Sequence, residues 1–212
     1  MTGAGAFITF EGGDGSGKST QIKLLHDRLV AENIGVVITR EPGGTLIGEQ
    51  IRKVILDPQN IEMTSKTEMF LYAAARAQIA DEVIWPALRE GKVVICDRFL
   101  DSSVAYQGVA RGLGRMVEEV NIPAAGGLVP DLTIYLKIEP DEGLDRTGNR
   151  KDRMELQDIM YHRSVAEGYR MIAERNPLRV KVLDATESIT LLRNKIWDTV
   201  AVRLAKKGYS VR

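Results

Sequence analysis

Residues able to handle phosphate gather at three places in this 212-residue chain. The first is EGGDGSGKST, residues 11–20, where Gly12, Gly13, Gly15 and Gly17 crowd ahead of Lys18, Ser19 and Thr20. Glycine loses the most backbone entropy on folding, so such a cluster needs a reason. The run fits G-x-x-x-x-G-K-[S/T] at Gly12, Gly17, Lys18 and Ser19, directly after the apolar stretch AFITF. Without Cβ atoms the chain through Asp14 and Ser16 can curl so that successive N–H groups face one concavity, and a helix starting near Lys18 adds its positive dipole end. Lys18 would then reach the outer phosphates as a point charge, while the Ser19 hydroxyl would complete the shell of a Mg²⁺.

The second place is VVICDRF, which closes an apolar run with Asp97 and Arg98. An aspartate opposite a phosphate loop can hold Mg²⁺ directly or through water, although an Asp there can also cap the next helix. The guanidinium of Arg98 is suited to bidentate capture of a second phosphate. The third is TREPGGT, with Arg40 ahead of a Pro-Gly-Gly turn. For Arg40 a surface ion pair with Glu41 or Glu49 competes with a substrate contact.

These clusters need elements to hold them. AFITF, VVIT, VVIC, LTIYLKI and VKVL are five strand candidates separated by amphipathic stretches, a pattern that predicts an α/β fold: a five-stranded parallel sheet flanked by helices. Residues 18–32 place Ile22, Leu25, Leu29 and Val30 on one stripe; Ser65 with Glu68 reads as a capping box opening a long helix to about Gly91, with Pro86 a possible kink. In such sheets ligands lie beyond the carboxyl ends of the strands, where all three clusters fall.

The bulk numbers narrow the function. The length predicts one domain spanning 1–212, large enough to bury a core without disulfides or metals. Lys plus Arg and Asp plus Glu are equal at 29 each, so no global field recruits nucleic acid or an anionic membrane. The single Cys96 reads as a buried reduced thiol, and His26 and His162 lack metal-ligand spacing. With no targeting segment at the start and no apolar run near 18 residues, the expectation is a soluble cytoplasmic protein.

FEGGDGSGKSTQ, TREPGGT, YAAARAQ, DRFLDSSVAYQG, PDLTIYL and DRME, in this order and spacing, make the whole chain resemble the thymidylate kinase family, P-loop enzymes that phosphorylate dTMP to dTDP with ATP. The resemblance implies that Arg40 and Arg98 hold the dTMP phosphate and that Asp14 faces the sugar 3'-hydroxyl and the acceptor side. It implies that Arg76 bonds the O4 edge of thymine, with Tyr72 stacked on the ring one helical turn earlier. Ser102 and Ser103 line the base pocket, Gln107 borders it, and Tyr106 crowds the 2' position. The family more often has phenylalanine at the Tyr72 position, and nearby Phe70 reads as core packing of a long helix.

The segment GLDRTGNRKDRME, residues 143–155, has Arg146, Arg150, Lys151 and Arg153 with no apolar period. Composition alone allows a solvated loop; the resemblance implies a mobile arginine-rich lid. One subgroup of the family carries an arginine where this chain has Gly15, so Arg146, Arg150 and Arg153 are the available transition-state cations. The resemblance places LDATES, residues 183–188, against adenine, hints at a cis Glu41–Pro42 bond, and implies a homodimer through the helices around residues 66–90. A kinase for another monophosphate or a deoxynucleoside is the rival reading. A guanine-specific switch is disfavoured because NKIW puts Trp197 where N-K-x-D needs an acid.

Overall fold

Strand β1, Ala6–Glu11, is buried at every position, and its burial on both faces fixes it as the centre of a parallel sheet. The computed structural model describes residues 5–147 and 152–211. Four further strands join β1: β2 (Val36–Arg40), β3 (Val93–Asp97), β4 (Leu132–Lys137) and β5 (Val180–Asp184). They pair in parallel in the order β2-β3-β1-β4-β5, the expected five-stranded sheet. Register makes the three clusters converge: Arg40 of β2 and Phe10 of β1 both sit beside Asp97 of β3, so all three strands end level at one edge.

Alternation along the strands divides the apolar side chains between two faces. Ala6, Ile8 and Phe10 of β1, with Ile134 and Leu136 of β4, pack under α1 (Lys18–Ala31) and α9 (Ile189–Lys206) through Ile22, Leu25, Leu29, Ile196 and Val200. Phe7, Val94 and Cys96 face the opposite layer, meeting Ile79, Ile84, Leu88 and Phe99. A third cluster joins Tyr135 of β4 to Tyr161, Val165 and Tyr169 of α8 (Ile159–Arg175) and to Tyr106. Val30, placed on the α1 stripe by its spacing, is instead half exposed.

Helix starts follow their caps. Helix α2 (Leu46–Leu56) is capped by the Thr45 hydroxyl accepting from Gly48 N, and α8 by Asp158 accepting from Tyr161 N. The cap of α3 (Ser65–Ile79) is Thr64, one residue before the predicted Ser65, because the Thr64 hydroxyl is the one that receives the Thr67 N–H. The long helix expected to run to Gly91 is divided: α3 ends at Ile79, a π-helical segment Ala80–Ile84 follows, and α4 covers Trp85–Arg89. Pro86 lies in the first turn of α4, directly after the π-helical segment that ends at Ile84, so its missing N–H falls where the helical pattern changes. Short helix α5 (Leu100–Ser103) runs into a second π-helical segment, Val104–Ala110, before α6 (Met116–Ala124) and α7 (Pro140–Asp145). No helix among the described residues is long and apolar enough to cross a membrane.

Candidate active site

The loop after β1 is built to leave N–H groups unused. Gly17, at the head of α1, has φ +83° and no side-chain cap, so the first-turn amides of α1 point outward without an internal acceptor. Gly12 (φ +143°) lies so close to β4 that a Cβ there would sit 2.5 Å from the Leu136 carbonyl oxygen. Gly15 (φ +71°) abuts α7, and a Cβ would come within 2.0 Å of the Gly143 carbonyl oxygen. Buried Lys18 extends back over the loop, donating to the carbonyls of Gly12 (3.1 Å) and Gly13 (2.9 Å). Burial, and then repulsion from Arg98, push its ammonium down to about 8.

Across from the loop stands Arg98, whose backbone sits in the left-handed region at φ +67°, a strained conformation for a bulky residue. Its guanidinium donates to Asp14 Oδ1 (2.7 Å), to the Gly12 carbonyl (2.8 Å) and to the Tyr169 hydroxyl (3.1 Å). Asp14 is held below its usual range: burial alone would raise it, but Arg98 and Lys18 outweigh that effect. Loop and arginine share a cleft of ≈460 Å³ that Ser19, Arg40, Asp97 and Arg76 also line. Ser19 and Asp97 thus bring two hard oxygen donors to the same cleft, a set that suits Mg²⁺.

Arg76 of α3 is held at the far end of the cleft. Only 1% exposed, it donates through Nε (2.9 Å) and Nη2 (2.5 Å) to Glu41 Oε2, through Nη1 to Ser103 Oγ (3.0 Å), and to Asn121 Oδ1. A guanidinium has five N–H groups, and these four bonds leave one of Nη2 unspent. Tyr72, Tyr106, Ser102 and Gln107 line the cleft, with Gln107 donating to Glu68 Oε1 (2.8 Å). Arg40 lines it too, half exposed and paired with Glu49 at 2.8 Å, one of the two partners its position allowed.

Three expectations are corrected here. Ser103 does not line the cleft; it stands behind Arg76 as a hydrogen-bond acceptor, because the turn of α5 directs it into the protein. Arg153 is no free lid cation: it is buried, pairs with Glu68 at 2.7 Å and donates to the Ile55 carbonyl at 2.7 Å. Phe70 is 55% exposed rather than core, since the buried side of α3 runs through Met69, Ala73 and Arg76. Arg146 lines the cleft and also donates to the Ala185 carbonyl, tying the end of α7 to the LDATES loop. Arg150 lies outside the described residues. The Glu41–Pro42 bond is cis.

Sequence reasoning missed the polar layer under Arg98. Glu11, the last residue of β1, is fully buried and accepts from Phe99 N (2.8 Å), Ser102 Oγ (2.6 Å) and Tyr169 OH (3.0 Å). Burial, and then the charge of Asp101, push it up to about 7. A charged residue closing an otherwise apolar strand was the available signal. Glu41 and Asn121, which hold Arg76, and Arg52, which donates to the Pro42 carbonyl at 2.8 Å, came with none.

A glycine loop with its lysine shares one cleft with the guanidinium groups of Arg40, Arg76 and Arg98 on a five-stranded parallel sheet, and the class this fold and cleft define is the P-loop nucleoside monophosphate kinases. The thymidylate kinase family model matches residues 10–196. Thymidylate kinase of Symbiobacterium thermophilum is 53% identical over 192 residues, covering 90% of both chains. That of Oceanobacillus iheyensis is 44% identical over 209 residues, covering 96% of this chain and 93% of the other. The crystal structure of thymidylate kinase from Ehrlichia chaffeensis superposes with a TM-score of 0.76 at 32% identity, covering 93% of this chain and 99% of that one. The chain belongs to the thymidylate kinase family.

Proposed function

We propose that this protein transfers the γ-phosphoryl of ATP in line to the 5'-phosphate of dTMP, giving dTDP. The observation that carries the reading is Arg98, set in a strained backbone opposite the glycine loop and bonded to Asp14 of that loop. A cation fixed there spans the space where donor and acceptor phosphates must meet. The acceptor oxygen belongs to a phosphate monoester with second pKa near ~6, already ionised at neutral pH, so no general base is required. Catalysis then rests on placing two anions against each other and cancelling their repulsion with Lys18, Arg98 and Arg146.

Residues Gly12 to Thr20 wrap the ATP phosphates in this reading, and Arg40 joins Arg98 on the dTMP phosphate. Asp14 takes the sugar side, Tyr72 the face of the base and Tyr106 the 2' position, with Ser102 and Gln107 along the wall. The unspent N–H of Arg76 suits an acceptor such as thymine O4 and repels an amino group at the same place. Ser19 and Asp97 would hold the Mg²⁺ that arrives with ATP, which would supply neutralisation of phosphate charge. Exposed Phe70 on α3, with Leu46, Ile47 and Val54 on neighbouring α2, supports a homodimer through this face.

The test is ADP release measured over a panel of nucleosides and nucleoside monophosphates. Turnover with dTMP is expected to exceed that with dCMP, dAMP, dGMP and thymidine. Preference for any of these others rejects the base assignment.

A further inference from the structure

Beneath the cleft, and outside its lining, lies a buried carboxylate to which the phosphate-transfer reading gives no task. Glu11 is 0% exposed, and each of its oxygens is occupied. Oε1 accepts from the Phe99 amide, which fixes the chain immediately after Arg98. Oε2 accepts from the hydroxyls of both Ser102 and Tyr169, which stand 2.8 Å from each other. Besides the Gly12 carbonyl at 2.8 Å, Arg98 Nη1 reaches these same two hydroxyls, at 3.4 Å for Ser102 and 3.1 Å for Tyr169. We propose that Glu11 is a positioning residue for the acceptor phosphate: by drawing the protons of Ser102 and Tyr169 toward itself, it turns their lone pairs toward Arg98 and so sets the guanidinium. This rests on Arg98 holding the dTMP phosphate.

The hydrogen-bond inventory makes the device depend on protonation state. An ionised carboxylate is acceptor-only, so both hydroxyls donate to it and each keeps lone pairs for the Arg98 N–H. A protonated Glu11 brings a donor of its own. One hydroxyl must then accept from it and turn its own hydrogen to the other hydroxyl, 2.8 Å away, taking up a lone pair that Arg98 Nη1 otherwise shares. The charged and titratable groups around Glu11 come from every neighbouring element: Arg98 after β3, Asp101 on α5 with its partner Arg179 ahead of β5, Lys18 at the head of α1, Tyr135 beside it on β4, Tyr169 of α8 and Cys96 of β3. Burial with Asp101 nearby brings the proton into the neutral range, where the switch between the two patterns is populated.

Glu11→Gln mimics the protonated form and keeps the shape. Steady-state kinetics of wild type, E11Q and R98A between pH 5.5 and 8.5, with folding checked by circular dichroism, separate the possibilities. At pH 8 the KM of E11Q for dTMP is expected to rise about tenfold or more, the scale of one hydrogen bond to a charged group, while its KM for ATP stays within about twofold. Near pH 5.5 wild type and E11Q converge, because both then carry a neutral group at position 11. A merely structural role lowers stability without this selective, pH-dependent separation. If R98A keeps a normal KM for dTMP, the phosphate reading itself fails. If R98A is impaired while E11Q tracks wild type for dTMP at every pH, Glu11 does not act through Arg98. Should E11Q not fold, Ser102→Ala and Tyr169→Phe carry the test, since each breaks the relay and leaves the carboxylate; unchanged KM for dTMP in both overturns the proposal.

Discussion

Lys18 and Arg98 carry most of the proposed chemistry, and each leaves a distinct signature. Lys18→Met and Arg98→Ala are expected to lower kcat/KM by about 10²-fold or more while circular dichroism stays native; near-normal turnover in either removes its role. Lys18, held down to about 8, is partly neutral at pH 8.5 in the empty site. Phosphates placed beside it favour the charged form, so ATP binding at that pH should take up a proton, seen as a calorimetric enthalpy that varies with buffer ionisation heat. Identical enthalpies in all buffers contradict the shift. Glu11 works in the other direction. Its folded value near 7 exceeds the unfolded 4.5, so the native state binds the extra proton and stability falls as pH rises through that window. The shift caps this loss at about 3 kcal/mol, and E11Q should flatten the slope of denaturation free energy between pH 4.5 and 7. That Lys18, Arg40 and Arg98 meet in one cleft was legible because their motif spacing is rigid. Glu11, Glu41 and Asn121 were not, because their partners are hydroxyls and guanidinium groups far away in sequence.

Helix α3 and its neighbours frame the end of the cleft lined by Tyr72 and Arg76. Removing Glu41 leaves Arg76 buried and unpaired, so Glu41→Ala should cost about 3 kcal/mol or more in chemical denaturation, with a loss under about 1 kcal/mol counting against the pair as a structural anchor. Helix α8 is set against the π-helical segment Val104–Ala110 at Gly168, where a Cβ would lie 2.8 Å from the Ala105 Cα. Gly168→Ala must push α8 outward and carry Tyr169 with it. The expected result is a stability loss of about 1–3 kcal/mol together with a raised KM for dTMP. Normal values of both would mean that α8 yields freely. Strands and helix spans were readable from apolar periodicity. Cap positions and the π-helical breaks were harder, since Thr64 and Ser65 are equally good caps by type and only backbone geometry chooses between them. Arg153 misled for a related reason: a charged run reads as solvated, and only the fold brings Glu68 to it.

The whole molecule adds a surface question and a seam. Phe70→Glu places a charge on the exposed α2–α3 face, and sedimentation should report a monomer where wild type sediments as a dimer; a wild-type monomer at micromolar concentration rejects the assembly. Sheet order was less readable than sheet class. The alternation of strands and helices predicts parallel pairing, whereas the placement of β3 between β2 and β1 depends on tertiary packing. The seam lies where Gly15 meets Gly143. A Cβ on the first would strike the Gly143 carbonyl and a Cβ on the second would come 2.5 Å from the Asp14 carbonyl, so neither position has room for a side chain while the other stays in place. One substitution therefore cannot place a cation at position 15 of the glycine loop in this backbone. A lineage making that change must first retract the root of α7, and an engineer grafting arginine at 15 must rebuild residues 140–145 in the same step.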